Sequence, residues 1–229
     1  MAKTALITGA SSGIGEATAE IFARNGINLI ICGRRAERLE KLAARLEQQV
    51  KVQYLNFDVR NKKEVYTTLE SIHPELKNID ILINNAGNAH GLDPIQDGND
   101  EDWDRMIDAN VKGLLYVSKA IIPGMIERNG GHIINISSIA GKEVYINGNV
   151  YCASKHAVEA ITKGMRLDLN KFGIKVTAIS PGMVETEFSL VRFKGDVKRA
   201  EKVYEGVEPL TAKDIAETIL FTVTRPNHV

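Results

Sequence analysis

Cysteine is scarce. The 229 residues hold two, Cys32 and Cys152, too few for a disulfide framework, and no CxxC spacing occurs. A surplus of either charge is also missing. The 29 basic residues balance 29 acidic ones to a formal net charge of zero, and the basic residues form no long run. This removes the electrostatic footprint expected of a nucleic-acid or anionic-membrane binder. No apolar run approaches the roughly 18 residues of a membrane span, and Met1-Ala2-Lys3 leads straight into a strand-like segment, so no secretory leader is expected. His73, His90, His132, His156 and His228 lack metal-ligand spacing, so no structural or catalytic metal is expected. Internal repeats, low-complexity tracts and interdomain linkers are absent. What is present is an ordinary globular composition, 44% hydrophobic and 25% charged, of a length that suits one large domain. A reducing, cytoplasmic setting is the expectation.

Short β-rich runs alternate with longer helical patterns. Strands are expected at Thr4–Thr8, Asn28–Cys32, Val52–Phe57, Ile79–Asn84, His132–Ile136 and Lys175–Ser180. Helices are expected at Gly13–Asn25, Ala36–Gln49, Lys62–Ser71, Trp103–Arg128, Val150–Phe172 and Thr211–Thr222, with Pro123 kinking or breaking the fourth. Strands that are apolar throughout, joined by helices, predict a parallel sheet covered on both faces. The fold class is therefore α/β, a single-domain doubly wound Rossmann fold, with ligands bound beyond the carboxyl ends of the strands. The terminal Arg225-Pro226-Asn227-His228-Val229 reads like the approach to a further strand, so a missing C-terminal strand or a short sheet edge is expected.

Between the first strand and the first helix lies Gly9-Ala10-Ser11-Ser12-Gly13-Ile14-Gly15. Glycines there permit a tight turn and a close backbone approach to a pyrophosphate at the positive helix N-terminus. The spacing is GxxxGxG rather than GxGxxG. At the end of the second strand an NAD site usually carries an acid for the ribose 2′-hydroxyl; this chain carries Arg34 and Arg35. Guanidinium groups suit a 2′-phosphate, so NADP is the expected cofactor. Asp58-Val59, after the third strand, is placed to meet the adenine ring.

Tyr151 and Lys155 are four apart on an expected helix, which places them on one face with Cβ atoms roughly 5–6 Å apart. A phenol with a pKa of about 10 is a poor acid or base near neutrality. An ammonium about 4 Å from the phenolate contributes on the order of 4 kcal/mol at an effective dielectric of about 20. That would bring the phenol down by about two to three pH units. The pair is a candidate proton-transfer group for alcohol and carbonyl chemistry.

With these residues in view, the chain resembles the short-chain dehydrogenase/reductase family over essentially its whole length. The matching elements are Thr8–Gly15 (TGASSGIG), Asn84–Gly87 (NNAG), Asn110, the INISS stretch ending at Ser138, Tyr151–Lys155 (YCASK) and Pro181–Thr186 (PGMVET). The resemblance implies Tyr151 as general acid/base, with Lys155 lowering its pKa and binding the nicotinamide ribose. It implies Ser138 as holder of the substrate oxygen and Asn110 as support for a water relay. Asn85, Ala86 and Gly87 would line the cofactor, and Pro181, Gly182, Val184 and Thr186 would fix its carboxamide. Ser12 departs from the basic residue that NADP-dependent members often carry there, leaving Arg34 and Arg35 to carry the cofactor assignment.

Glu127–Ser138, Gly148–Lys155 and Thr186–Asp196 resemble, within that family, the NADP-dependent 3-hydroxy acid dehydrogenases. This implies oxidation of the β-hydroxyl of a small carboxylic acid such as serine, allo-threonine or 3-hydroxypropionate. Arg192 and Lys194 fall in the segment that serves this group as a substrate lid. Arg192 is the candidate for the substrate carboxylate, because a guanidinium binds carboxylates bidentately. Reduction of other small carbonyls (3-oxoacyl thioesters, sulfoacetaldehyde, diketones) stays open as an alternative, as does a catalytically silent NADP-sensing module. Family members assemble through two long helices, so a homodimer or homotetramer is expected. Neither His90 nor Cys152 is expected to act in catalysis.

Overall fold

Strand β1 (Thr4–Thr8) is buried at every position. Because side chains alternate along a strand, its residues feed two cores: Ala5 and Ile7 one, Leu6 the other. The same division holds along β2 (Asn28–Gly33), with Leu29 and Ile31 on one side and Ile30 and Cys32 on the other. A sheet apolar on both faces must be covered on both faces. In the computed structural model, which describes residues 2–226 and 228–229, this is what happens.

The first face is covered by α1 (Gly13–Arg24), α2 (Ala36–Leu46) and α9 (Ala212–Val223) through Phe22, Leu39, Leu42, Ile215 and Ile219. The second is covered by α3 (Lys62–Glu70), α5 (Leu114–Glu127) and α6 (Asn149–Leu169) through Val65, Leu69, Val117, Met125 and Leu169. With β3 (Val52–Asn56), β4 (Ile81–Asn84), β5 (Gly131–Ile136) and β6 (Ile174–Ile179) the sheet has the order β3-β2-β1-β4-β5-β6, all parallel. This is the doubly wound order, whose direction reverses between β1 and β4.

The long helical stretch departs from expectation in two ways. It starts earlier, at Asp100 (α4, Asp100–Ile107), where the Asn99 side chain accepts from Asp102 N and three acids occupy the first turn. Its irregularity is a π-helical segment at Asp108–Gly113 rather than a break at Pro123, which sits inside α5. Pro123 deprives the Lys119 carbonyl of its helical partner, and both residues are exposed, so water can take that role. The wide turn does position the site: Asn110 within it directs its amide to Asn88.

A short parallel pair, β7 (Val184–Glu185) with β8 (Leu210–Thr211), was not foreseen. It closes the base of the intervening segment, which carries α7 (Phe188–Arg192) and α8 (Val197–Lys202). Thr211 then caps α9 through a reciprocal capping box with Asp214. Of the terminal segment expected to approach another strand, Asn227 lies outside the described residues; the remaining residues from Arg225 onward form no strand.

Two positions tie the fold to testable energetics. Gly9, in the turn after β1, has φ of +67°, and a Cβ there would lie 2.8 Å from Asn85 Nδ2 and 2.9 Å from Ala86 Cα. His132 on β5 is 6% exposed, and its Nε2 lies 2.9 Å from Thr177 Oγ1. Burial, reinforced by Lys175 and Lys3, pushes its pKa down from 6.5 to about 4.

Gly9→Ala combines left-handed strain of about 1–2 kcal/mol with a backbone clash. It is expected to cost at least about 2 kcal/mol, lowering Tm by roughly 4–8 °C; an unchanged Tm would contradict the tight contact. For His132, the unfolded chain takes up a proton near pH 6.5 while the native protein resists until about pH 4, so stability is lost as pH falls through that window. Between pH 7 and 5 this amounts to about 2 kcal/mol. Urea unfolding at the two pH values should show His132→Gln losing less stability on acidification by about that margin; equal losses would disprove it.

Candidate active site

The carboxyl ends of the strands open onto one cleft of about 320 Å³. Every residue given a catalytic, cofactor or substrate role in the sequence lines it except Ala10, Gly15, Asn110 and Arg192. The phosphate loop forms one wall. Ser12 is the N-cap of α1 but makes no side-chain cap bond, leaving the first-turn amides open to a ligand. Ala10 turns inward, its N–H donating to the Cys32 carbonyl at 3.0 Å, and Gly15 packs against Asn85 and Gly9. These are the features a pyrophosphate requires at a helix N-terminus, so the residues present fit a dinucleotide.

The turn after β4 is fastened to β1 by Thr8. Its hydroxyl accepts from Asn85 N and Ala86 N, both at 3.0 Å, and donates to the Ile83 carbonyl at 3.3 Å. The Asn85 amide in turn donates to the Thr8 and Gly9 carbonyls at 2.9 and 3.2 Å. Side chain and backbone thus lock the two loops that flank the sheet's switch point.

At the end of the cleft beside the start of α2, the three arginines behave differently. Arg34 is 60% exposed and 3.8 Å from Asp58. Arg35 is engaged: Nε donates to Ser11 Oγ at 3.1 Å, Nη2 to Ser12 Oγ at 2.5 Å, and Nη1 to Glu187 at 2.7 Å. Arg38, one helical turn on, reaches the other Glu187 oxygen at 2.7 Å. The two guanidinium groups hold the Glu187 carboxyl down at about 2. Asp58, expected at the adenine ring, does line the cleft, but it is held by Arg60 through Nη2–Oδ2 at 2.7 Å and Nε at 3.0 and 3.1 Å.

At the opposite end Ser138, Tyr151 and Lys155 converge. Ser138 follows β5 and is held by the Ala140 N–H donating to its Oγ at 3.1 Å. Lys155 is 7% exposed, and its Nζ donates to the Ile136 carbonyl at 2.9 Å. Asn110 stands behind them: it accepts from Asn88 N at 2.8 Å and donates to the Asn88 carbonyl at 2.9 Å and Ser154 Oγ at 3.0 Å. Its Oδ1 and Lys155 Nζ both lie just beyond Gly87, 3.0 and 3.7 Å from where a Cβ would stand.

The electrostatics correct the expectation from spacing. Lys155 Nζ lies 6.0 Å from the Tyr151 ring centre. Burial pushes the Lys155 pKa down to about 8, opposed by Glu159. Burial pushes Tyr151 up to about 12 in spite of a hydrogen bond with Ser138 and the charge of Arg192. A spacing argument counts the attraction between two charges and omits the cost of desolvating each. Here desolvation wins.

The segment between β7 and β8 covers this end of the cleft, with Phe188 and Val191 in its lining. Arg192 Nε donates to the Gly91 carbonyl at 3.1 Å, Gly91 N donates to the Arg192 carbonyl at 3.0 Å, and Lys194 pairs with buried Asp102 at 2.8 Å. The Arg192 guanidinium lies over two rings, 5.5 Å from that of Tyr145 and 5.6 Å from that of Tyr151, and its Nη2 donates to Tyr145 Oη at 2.8 Å. His90 borders this smaller cavity with Arg192 and Tyr151, and Cys152 packs in the apolar cluster around Tyr151. Sequence reasoning did not single out Glu187, Arg38, Arg60 or Tyr145. Arg38 was readable one turn beyond Arg35, and Arg60 two residues beyond Asp58; Glu187 and Tyr145 are brought in by tertiary structure.

The chain matches the family model "short chain dehydrogenase" over residues 3–196. It is 47% identical over 225 residues to an NADP-dependent 3-hydroxy acid dehydrogenase of Salmonella typhi, covering 98% of this chain and 90% of that one. It is 44% identical over 230 residues to sulfoacetaldehyde reductase 2 of Chromohalobacter salexigens, covering 100% and 91%. Among solved structures, the closed form of a serine dehydrogenase complexed with NADP+ superposes with a TM-score of 0.95 at 46% identity, covering 99% and 91%. Motif order, fold and site geometry agree with these similarities, and the chain belongs to the short-chain dehydrogenase family.

Proposed function

We propose that this chain is an NADP-dependent oxidoreductase acting on the C3 hydroxyl or carbonyl of small 3-hydroxy acids of the serine, allo-threonine and 3-hydroxypropionate class. The observation that carries this reading is the Arg192 guanidinium 5.6 Å from the Tyr151 ring, a cation for a carboxylate beside a candidate proton donor. The relatives named 3-hydroxy acid dehydrogenase and serine dehydrogenase support the same class.

NADP, when bound, supplies or accepts the hydride; the chain's own residues bind, orient and manage one proton. The open amides of α1 and the Arg34 and Arg35 side chains would hold its phosphates, and Asn85–Gly87, Pro181, Gly182, Val184 and Thr186 would form the remaining wall. Tyr151 moves a proton at the substrate oxygen as general acid/base. Ser138 bonds that oxygen and shares its developing charge. Lys155, with a pKa near 8, supplies a cation that the phenolate needs and that the Ile136 carbonyl keeps in position. Arg192 takes the substrate carboxylate through its Nη1 edge, its Nε and Nη2 being committed to Gly91 and Tyr145.

A second reading is favoured by the similarity to sulfoacetaldehyde reductase 2: a sulfonate is also an oxyanion that a guanidinium binds, so a small sulfonated aldehyde suits the same geometry. The proposal includes a reducing, cytoplasmic setting, supported by two buried free cysteines. It also includes a homodimer or homotetramer formed through the helical faces on which Leu115 and Leu167 are exposed.

An NADP-reduction assay across L-serine, L- and D-threonine, their allo forms, 3-hydroxypropionate and 3-hydroxyisobutyrate, with sulfoacetaldehyde assayed by NADPH oxidation, tests the class. Tyr151→Phe should lower kcat roughly 10²–10⁴-fold while leaving NADPH binding by fluorescence nearly intact; retained turnover refutes the proton-transfer role. Arg192→Ala should raise KM for the preferred acid roughly 10- to 100-fold, the worth of a charged hydrogen bond. An unchanged KM removes Arg192 as the anion anchor.

A further inference from the structure

The mechanism above gives Glu187 no part, yet its carboxylate lines the cleft and is paired with two guanidinium groups. It immediately precedes α7, and its two oxygens are taken separately, one by Arg35 and one by Arg38, each at 2.7 Å. It is also the point at which the covering segment touches the wall formed by α2, since its neighbour Thr186 lies against the phosphate loop, 3.3 Å from the Cβ position of Gly13. Arg35 meanwhile bonds Ser11 Oγ, the Ser11 carbonyl and Ser12 Oγ through its remaining nitrogens. Four of its five N–H groups therefore have partners within the chain. Of those partners Glu187 alone is charged.

We propose that Glu187 is an intramolecular competitor for the coenzyme's 2′-phosphate, so that phosphate binding at Arg35 and release of the covering segment's first turn are a single exchange. The inference rests on the reading of NADP as coenzyme and of Arg35 as a ligand of its 2′-phosphate. A phosphate needs the same forked guanidinium donors that the carboxylate holds. Keeping both anions on Arg35 would bring like charges together on one guanidinium, most of whose N–H groups already have partners. Glu187 is ionised throughout the neutral range because of Arg35 and Arg38, so the competing charge is always present. Arg38, outside the cleft lining, is free to retain the displaced carboxylate and keep the segment tethered. Arg34, exposed and lightly held, is free to complete the phosphate site. In a chain that binds a dinucleotide without a 2′-phosphate, the latch stays shut.

Calorimetric titration of the full-length protein with 2′,5′-ADP and with 5′-AMP, at low ionic strength, tests this without turnover. The participating side chains are 39–49% exposed, and such pairs are individually weak. Glu187→Gln is therefore expected to tighten 2′,5′-ADP by roughly fivefold and leave 5′-AMP unchanged, with the gain shrinking as salt is added. Hydrogen exchange should show 2′,5′-ADP loosening amides 187–192 in the wild type, where Glu187→Gln is already loose. Unchanged or weaker binding of 2′,5′-ADP by Glu187→Gln overturns the competition. Arg35→Ala separates the two levels of the argument: it should abolish the preference for 2′,5′-ADP over 5′-AMP. If that preference survives in Arg35→Ala, the phosphate assignment itself is wrong. If it disappears there while Glu187→Gln binds like the wild type, only the role given to Glu187 fails.

Discussion

A lysine buried against the carboxyl end of β5 dominates the electrostatics of this site. Lys155 has 7% of its surface exposed and one backbone carbonyl, that of Ile136, as its hydrogen-bond partner. Taking an ammonium out of water favours its neutral form, and the pKa near 8 is the consequence. Tyr151 suffers the mirror-image effect and holds its proton to about 12. In the free protein the two groups therefore resist the charge separation that proton transfer needs. Under the proposed function, the site becomes effective only when its occupants add charge and hydrogen bonds that desolvation has withheld. Ser138 already acts in that direction, and so does Arg192, whose charge lowers the Tyr151 pKa.

Rigid and movable parts of the site divide cleanly. Thr8 ties the turn after β4 to the end of β1. Beneath the cleft, Asn84 donates to Ser118 Oγ and Asn135 Oδ1, and Asn135 donates to Thr162 Oγ1, each at 2.9 Å, joining β4 and β5 to α5 and α6. A buried polar network whose donors are occupied stiffens what it joins. Arg192, Lys194 and Glu187, by contrast, all belong to the segment closed off by the β7–β8 pair, and each is fastened through exposed or partly exposed polar contacts. Contacts of that kind are the first to open.

The sheet was legible because its strands are apolar on both faces, a pattern that leaves only a doubly covered parallel arrangement. Strand and helix positions followed within a few residues, and the catalytic candidates followed from motif order on strand ends. Three things were not legible. The π-helical turn at Asp108–Gly113 gives no periodicity signal, whereas Pro123 gives a strong one that solvent exposure neutralises. The β7–β8 pair joins residues more than 20 apart in sequence through two-residue strands, too short for any alternation to register. The acidity of Tyr151 depends on burial, which residue spacing cannot supply. For the same reason nothing in the sequence linked Glu187 to Arg35 and Arg38.

The covering segment thus has a fastening at each end of the cleft: Glu187 on the arginines of the adenosine side, Lys194 on Asp102 at the substrate side. The two differ in burial, and that difference decides which yields. Asp102 has 7% of its side chain exposed, so losing Lys194 would leave a carboxylate nearly dry and without its counter-charge. Glu187 is 39% exposed, and water can replace its partners at little cost. Opening is therefore cheaper at the Glu187 end, where the proposed function would bring the coenzyme phosphate. The end that carries Arg192 stays in register with Gly91 and Tyr145. Under the proposed function, a segment fastened this way can respond to coenzyme at one end while preserving, at the other, the geometry that would recognise an anionic substrate.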